Sequence, residues 1–251
     1  MNLDQLFGLT GRTALVTGGS SGIGRAIATA LAGAGARVLV AARTEAAIAA
    51  TIAEIGAAGG AATGIVADLG TRAGAHALAD AAGSVDILVN SAGINLRPPF
   101  AELDEDTWDA TMAVNLEAPF VLGQRLAPGM AERGYGRIIH ISSQQAHRPF
   151  AASGAYGVSK AALEALARSQ AEAWSPRGVT ANVLIPGFVQ TPLNARLSAD
   201  PGTVAALAAR TLIGRNGRAD DFAGAAVFLA GPGSAYITGQ SLAVDGGFSV
   251  H

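Results

Sequence analysis

Apolar residues along this chain fall in short continuous runs, at 13–17, 38–41, 64–67, 87–90, 138–141, 179–185 and 242–244. Each run is rich in β-branched residues, and Ala-rich segments of helical length separate them. A strand that is apolar at every position is covered on both faces, and strand–helix alternation puts the covering helices on both sides of a parallel sheet. The pattern therefore predicts an α/β protein with a doubly wound parallel sheet of about seven strands. No Pro/Ser-rich linker, composition break or internal repeat interrupts it, so residues 1–251 read as a single domain.

The longest uncharged stretch, 222–244, is long enough to raise the question of a membrane span. Gly231-Pro232-Gly233-Ser234 and Thr238-Gly239-Gln240-Ser241 break it into a short helix, a loop and a short strand, so it reads as core. Half of the residues are apolar and 14% are charged, which excludes disorder. A formal charge of −2 without a basic run recruits neither nucleic acid nor an anionic membrane. The absence of cysteine excludes disulfides, thiolate ligands and a cysteine nucleophile, and the four histidines lack metal-ligand spacing, so no metal is called for. The first residues carry neither a basic n-region nor an apolar h-region, which predicts a cytoplasmic protein.

The first strand runs directly into Thr17-Gly18-Gly19-Ser20-Ser21-Gly22-Ile23-Gly24 and then into a helical segment. A glycine-rich turn at this place lets backbone approach a pyrophosphate, while the helix N-terminus offers free N–H groups and a positive dipole end. At the end of the second strand stands Val40-Ala41-Ala42-Arg43-Thr44-Glu45. An acidic residue here selects NAD through the ribose hydroxyls, and a basic one accommodates the 2′-phosphate of NADP. Ala42 removes the carboxylate and Arg43 supplies a permanently charged donor fork, so NADP(H) is preferred over NAD(H). Ser20 and Ser21 offer further hydroxyls; the competing reading has Glu45 reach the ribose.

Tyr156-Gly157-Val158-Ser159-Lys160 places a phenol and an ammonium one helical turn apart, with Cβ atoms about 5–6 Å from each other. The positive charge stabilises phenolate over phenol and is expected to lower the tyrosine pKa; a drop equivalent to about 3–4 kcal/mol would bring it into the range useful for proton transfer.

Taken together, Thr17-Gly18-x-x-x-Gly22-Ile23-Gly24, Asn90-Ser91-Ala92-Gly93, Asn115, Ser143, Tyr156-x-x-x-Lys160 and Pro186-Gly187 resemble the short-chain dehydrogenase/reductase family in order and spacing, over nearly the whole chain. Ser91 departs slightly, since the family more often has a second asparagine there. The resemblance implies a Rossmann-type fold and an alcohol dehydrogenase/carbonyl reductase using a nicotinamide cofactor. It also implies roles. Ser143, preferred over its neighbour Ser142, hydrogen-bonds the substrate carbonyl; Tyr156 exchanges the proton; Lys160 tunes Tyr156 and holds the nicotinamide ribose; Asn115 anchors a water between Lys160 and solvent. Gly18, Ser20, Ser21, Gly22, Ile23 and Gly24 match the pyrophosphate loop, Asp68 with Leu69 the adenine contact, and Asn90, Ala92 and Gly93 the segment beside the adenosine ribose. Pro186, Gly187, Val189 and Thr191 match the loop along the nicotinamide.

By the same resemblance, substrate loops lie at 94–100, 144–155 and 188–215, offering Asn95, Arg97, Gln145, His147 and Phe188. Arg97, His147 and Arg148 suit a carboxylate, phosphate or polyol, or else are solvated loop residues. Residues 92–100 and Trp108-Asp109 are most similar to the branch handling gluconate-type sugar acids and polyols, including NAD-dependent ones; Gly214-Arg215 and Asp245-Gly246-Gly247 also occur in 3-oxoacyl-carrier-protein reductases. A non-catalytic dinucleotide sensor on the same fold is the competing class, and it typically lacks the Tyr and Lys retained here. Residues 196–210, Ala-rich with few charges, suggest a lid. The small-molecule substrate is the expected partner, and the family habit implies a homodimer or homotetramer.

Overall fold

All seven apolar runs form strands, and every pairing is parallel, in one sheet of order β3-β2-β1-β4-β5-β6-β7. The computed structural model describes residues 2–250. In chain order the elements are α1 (Leu3–Phe7), β1 (Thr13–Thr17), α2 (Gly22–Gly33), β2 (Arg37–Ala42), α3 (Glu45–Ala57), β3 (Ala61–Val66), α4 (Arg72–Ala82) and β4 (Ile87–Asn90). They continue with α5 (Glu105–Met112), α6 (Ala118–Glu132), β5 (Gly136–Ile141), α7 (Gly154–Trp174), β6 (Val179–Pro186), α8 (Ala195–Ser198), α9 (Pro201–Ala209), α10 (Ala223–Ala230) and β7 (Ser241–Val244).

Successive side chains of a strand point to opposite faces, so each continuous apolar run feeds two cores. Ala14, Val16, Val38 and Val40 pack against Ile27 and Leu31 of α2, Ile48 and Ile55 of α3 and Leu229 of α10. Their alternates Leu15, Leu39 and Leu88 meet Leu78 of α4 and Val121, Leu122 and Leu126 of α6. Helix starts follow local chemistry: Thr71 accepts from the Gly74 N–H at α4, Asp104 from Thr107 at α5, and Asp200 from Gly202 and Thr203 at α9.

One part of the reading needs correction. Of the stretch 222–244 expected to be core, Phe222 and Ala226, Leu229 and Ala230 of α10 are buried, but Ser241, Leu242 and Ala243 of β7 are exposed. β7 is an edge strand, so only one neighbour covers it.

The chain reverses its direction of growth between β1 and β4, which are direct neighbours. A crevice opens beyond the carboxyl ends of these two strands, the usual ligand position of a doubly wound sheet. Between α5 and α6 the helix passes through a π-helical turn at Ala113–Glu117, a distortion common at functional sites.

Candidate active site

A cleft of about 470 Å³ lies beyond the carboxyl ends of β1, β4, β5 and β6. Gly18, Ser21, Gly22, Ile23 and Gly24 form one wall. A side chain could not be added there: a Cβ at Gly24 would stand 2.4 Å from the Gly18 carbonyl oxygen, and one at Gly18 would stand 2.9 Å from the Ala92 backbone nitrogen. Gly18 and Gly22 also take positive φ, +65° and +50°. The Ser21 side chain makes no capping bond at the start of α2, and the first-turn N–H groups of a helix lack intrahelical partners. This wall thus fits a pyrophosphate by backbone shape and dipole.

Thr17 was not singled out for its side chain, yet it shapes the opposite edge. Its hydroxyl oxygen accepts from the backbone N–H groups of Ser91 and Ala92, both at 3.1 Å, and so turns the chain after β4. Its position at the end of the switch-point strand was the available signal.

Ser143, Tyr156 and Lys160 meet on the cleft floor. Ser143 follows β5, accepts from the Gln145 backbone N–H at 3.2 Å, and lines the cleft together with Tyr156. Burial pushes the phenol up to about 12, against the opposing pull of the Ser143 side chain and the Arg97 charge. Burial also pushes the Lys160 ammonium down to about 8. The expected lowering of the Tyr156 pKa by Lys160 is therefore corrected. Lys160 Nζ lies 5.6 Å from the phenol ring centre and donates to the Ile141 carbonyl at 2.9 Å, so desolvation, which disfavours both charged forms, prevails.

Asn115 sits behind this floor, fully buried in the π-helical turn. Its amide accepts from Ile94 N at 2.9 Å and donates to Ile94 O and to Ser159 Oγ, each at 3.0 Å. It thereby ties the chain after β4 to the helix carrying Tyr156 and Lys160. A Cβ added at Gly93 would lie 3.3 Å from Asn115 Oδ1 and 3.6 Å from Lys160 Nζ, so the two side chains pack closely against this strand end.

The remaining expected residues divide. Ala92, Gly93, Arg97, Gln145, Pro186, Gly187, Phe188, Val189 and Thr191 line the cleft. Arg43 is exposed just beyond β2, and Asp68, beyond β3, accepts from the Gly70 N–H at 3.0 Å. Ser20 is half-buried in the glycine loop, and Asn95 is half-buried with a shielded, unpartnered Oδ1. Leu69 is buried in the core with Ala41 and Leu39. Asn90 turns inward, its amide 3.2 Å from His140 Nδ1, because the last position of β4 points its side chain into the interior.

His147 does not face the cleft. Its Nε2 lies 3.1 Å from Glu164 Oε1, and this 4%-exposed carboxylate also accepts from Ser142 Oγ at 2.8 Å and Ser241 Oγ at 3.0 Å. Glu164 was not foreseen, although it continues the spacing of four from Tyr156 and Lys160 along α7. Arg148 donates to the Ser249 carbonyl at 2.8 Å. Of Arg97, His147 and Arg148, the latter two are thus anchors of the loop after Ser143, and only Arg97 lines the cleft.

Comparison with known proteins gives the family. A family model described as enoyl-(acyl carrier protein) reductase matches residues 18–249. The galactitol 2-dehydrogenase (L-tagatose-forming) of Cereibacter sphaeroides is 40% identical over 256 residues, covering 100% of both chains. The chain belongs to the short-chain dehydrogenase/reductase family. Among solved structures, a candidate NAD(P)-dependent gluconate 5-dehydrogenase from Beutenbergia cavernae, with NADP bound, superposes with a TM-score of 0.95 at 42% identity, covering 98% of this chain and 100% of that one. A gluconate 5-dehydrogenase from Burkholderia cenocepacia, in complex with NADP and tartrate, gives 0.94 at 37% identity and covers 100% of each. Membership makes the chain an NAD(P)-dependent oxidoreductase, and interconversion of a secondary alcohol and a ketone fits its site. Among the described residues no helix is long and apolar enough to cross a membrane.

Proposed function

We propose that this family member is an NADP(H)-dependent dehydrogenase/reductase acting on a secondary hydroxyl of a small polyhydroxylated molecule, with Ser143, Tyr156, Lys160 and Asn115 as its working set. The observation that carries this reading is that Ser143, Tyr156 and Lys160 line the same cleft as Gly18, Gly22 and Gly24 of the glycine loop.

When bound, the dinucleotide supplies or accepts the hydride. The chain's task is to hold the reacting oxygen and manage its proton. Ser143 and Tyr156 both bring a hydroxyl to the cleft, and such donors stabilise negative charge developing on a carbonyl oxygen. Tyr156, held protonated by burial, is poised to donate its phenolic proton to that oxygen. Lys160 and Asn115 keep the floor in register through Ile141, Ile94 and Ser159. Arg43, exposed beyond β2 and without a hydrogen-bond or ion-pair partner among the described residues, supports the choice of NADP, as does the NADP held by both structural relatives.

The residues placed at the nicotinamide and ribose by resemblance, and the substrate loops at 94–100, 144–155 and 188–215, belong to the same reading. So do a homo-oligomeric state, supported by exposed Leu212, Ile213, Tyr236 and Leu242 in the last part of the chain, and a cytoplasmic location.

The test is a panel of ketoses, keto acids, β-keto thioesters and cyclic ketones followed by nicotinamide absorbance with NADPH and NADH. Turnover of a hydroxylated ketone that falls at least about 1,000-fold in Tyr156→Phe, with NADPH affinity retained, is the expected result. Undiminished turnover in that variant would refute the role of Tyr156, and preference for β-keto thioesters would move the substrate to acyl carriers.

A further inference from the structure

Every ionisable side chain on the cleft wall that is charged at neutral pH is basic: Arg97, Lys160 and Arg196 line it, and no aspartate or glutamate does so among the described residues. The chain as a whole carries −2, so this bias is not inherited from composition. Lys160 is occupied at Ile141 beside the catalytic hydroxyls. The two arginines have no such assignment.

Arg97 enters from the chain after β4. One terminal nitrogen donates to the Ala151 carbonyl, while the other, Nη1, is shielded from solvent without a partner. Arg97 and Tyr156 line the same cleft, and each charge is felt by the other. Arg196 comes from α8, the short helix at the start of the suspected lid. Burial lowers the Arg97 pKa, and the Arg196 charge lowers it further, so the two cations oppose each other with no carboxylate on the wall between them. An arrangement of like charges facing one space is relieved when an anion occupies that space.

We propose that Arg97 and Arg196 together hold an anionic group of the substrate, a carboxylate or a phosphate, on the Tyr156 side of the cleft, and that this anion draws α8 against it. The inference rests on the oxidoreductase reading above and deepens it: among hydroxylated substrates it selects acids over neutral polyols. It also makes Arg196 a specificity-determining residue that sequence spacing had left inside an undifferentiated lid.

The experiment titrates the enzyme–NADP⁺ complex by calorimetry with D-gluconate, D-gluconate 6-phosphate and neutral D-glucitol, using wild type, Arg97→Gln, Arg97→Lys and Arg196→Gln. NADP⁺ affinity is measured separately for each protein. At least one anion is expected to bind at least about tenfold more tightly than glucitol, and added salt to weaken only the anion. Which anion binds tells carboxylate from phosphate. Arg97→Gln and Arg196→Gln should each weaken it by roughly ten- to a hundredfold, with NADP⁺ affinity unchanged. Arg97→Lys, which keeps the charge, should recover part of the loss and guards against a folding defect at the half-buried site. Glucitol binding as tightly as the acids, no binding by either anion, or a loss confined to NADP⁺ would overturn the proposal, the last by assigning the arginines to cofactor phosphates. If ketone turnover depends on Tyr156 while these variants leave anion binding untouched, only this inference fails. If the anion binds through both arginines and no ketone is reduced, the catalytic reading fails instead.

Discussion

Lys160 aims its ammonium at the carbonyl oxygen of Ile141, 2.9 Å away, and not at the hydroxyl of Tyr156 one helical turn before it. The lysine therefore stitches the end of β5 to α7, the two elements that carry Ser143 and Tyr156. It is 4% exposed and lacks a carboxylate partner among the described residues, so its charge is desolvated and only partly compensated.

That arrangement has a stability consequence. With a folded pKa of about 8 against the ordinary value of 10.5, the unfolded chain binds more protons at this site between those two values. Stability from this group therefore rises as pH climbs through that window, and below pH 8 the full burial penalty is present. Lys160→Met should consequently keep or gain stability at pH 7, by about 1–3 kcal/mol, while turnover collapses. Urea midpoints at pH 7 and pH 10 check this; an equal loss of stability at both values would show that the lysine's bonds outweigh its desolvation.

His140 gives the acid counterpart. It is fully buried between Asn90 and Gln170, with Nε2 2.7 Å from Gln170 Oε1, and burial pushes its pKa down from 6.5 to about 4. The unfolded chain binds the extra proton between these values, so stability is lost as pH falls from 6.5 to 4. The slope reaches about 1.4 kcal/mol per pH unit for this one site. His140→Asn should be less stable overall but flatter across that range by one proton, readable from thermal midpoints against pH. An unchanged slope would remove His140 from the acid limb.

Much of this architecture is legible before any coordinates. Runs such as Val179-Thr180-Ala181-Asn182-Val183-Leu184-Ile185, bounded by turns, leave little choice but a buried parallel strand, and each such run becomes one. Glycines 18, 22 and 24 are legible because the turn demands their backbone freedom or lack of a Cβ. What escapes is whatever depends on three-dimensional proximity. Glu164 gathers Ser142 and His147 from the stretch after β5 and Ser241 from β7, and no spacing announces that. The pKa of Tyr156 was misjudged for a related reason: the pair distance is local, but desolvation is a property of everything packed around it. The π-helical turn at Asn115 likewise follows from fitting α5 and α6 against α7, with no proline or glycine inside it to mark it.

Cofactor choice turns on two adjacent positions. Ala42 ends β2, and Arg43 follows it exposed to solvent. Arg43→Gln should lower the ratio of kcat/KM for NADPH over NADH by roughly ten- to a hundredfold, since a charge-assisted contact to the 2′-phosphate is lost. Adding Ala42→Asp should push the ratio further, because a carboxylate repels that phosphate and accepts from a ribose hydroxyl. Initial rates with both cofactors decide it, and an unchanged ratio in Arg43→Gln would assign the 2′-phosphate to another group.

Ala152 stores strain where the substrate is expected. It is the one described non-glycine residue with positive φ, at +55°, and it lines the cleft beside Ala151, whose carbonyl receives the Arg97 guanidinium. A left-handed conformation costs an L-residue about 1–2 kcal/mol, which glycine avoids, while glycine's freer unfolded chain costs about 0.4–1 kcal/mol. Ala152→Gly should therefore stabilise the protein by about 0.5–1 kcal/mol, a rise of roughly 1–4 °C in Tm for a chain of this size. The same change frees the turn that presents the Ala151 carbonyl, so Arg97 loses its fixed position and KM for substrate should rise while NADPH affinity holds. Ala152→Val should instead lower Tm, because a β-branched side chain fits this backbone worst. Calorimetry with steady-state kinetics reads both effects, and a Tm that falls in Ala152→Gly would mean that the turn is held by its surroundings at no cost to the alanine.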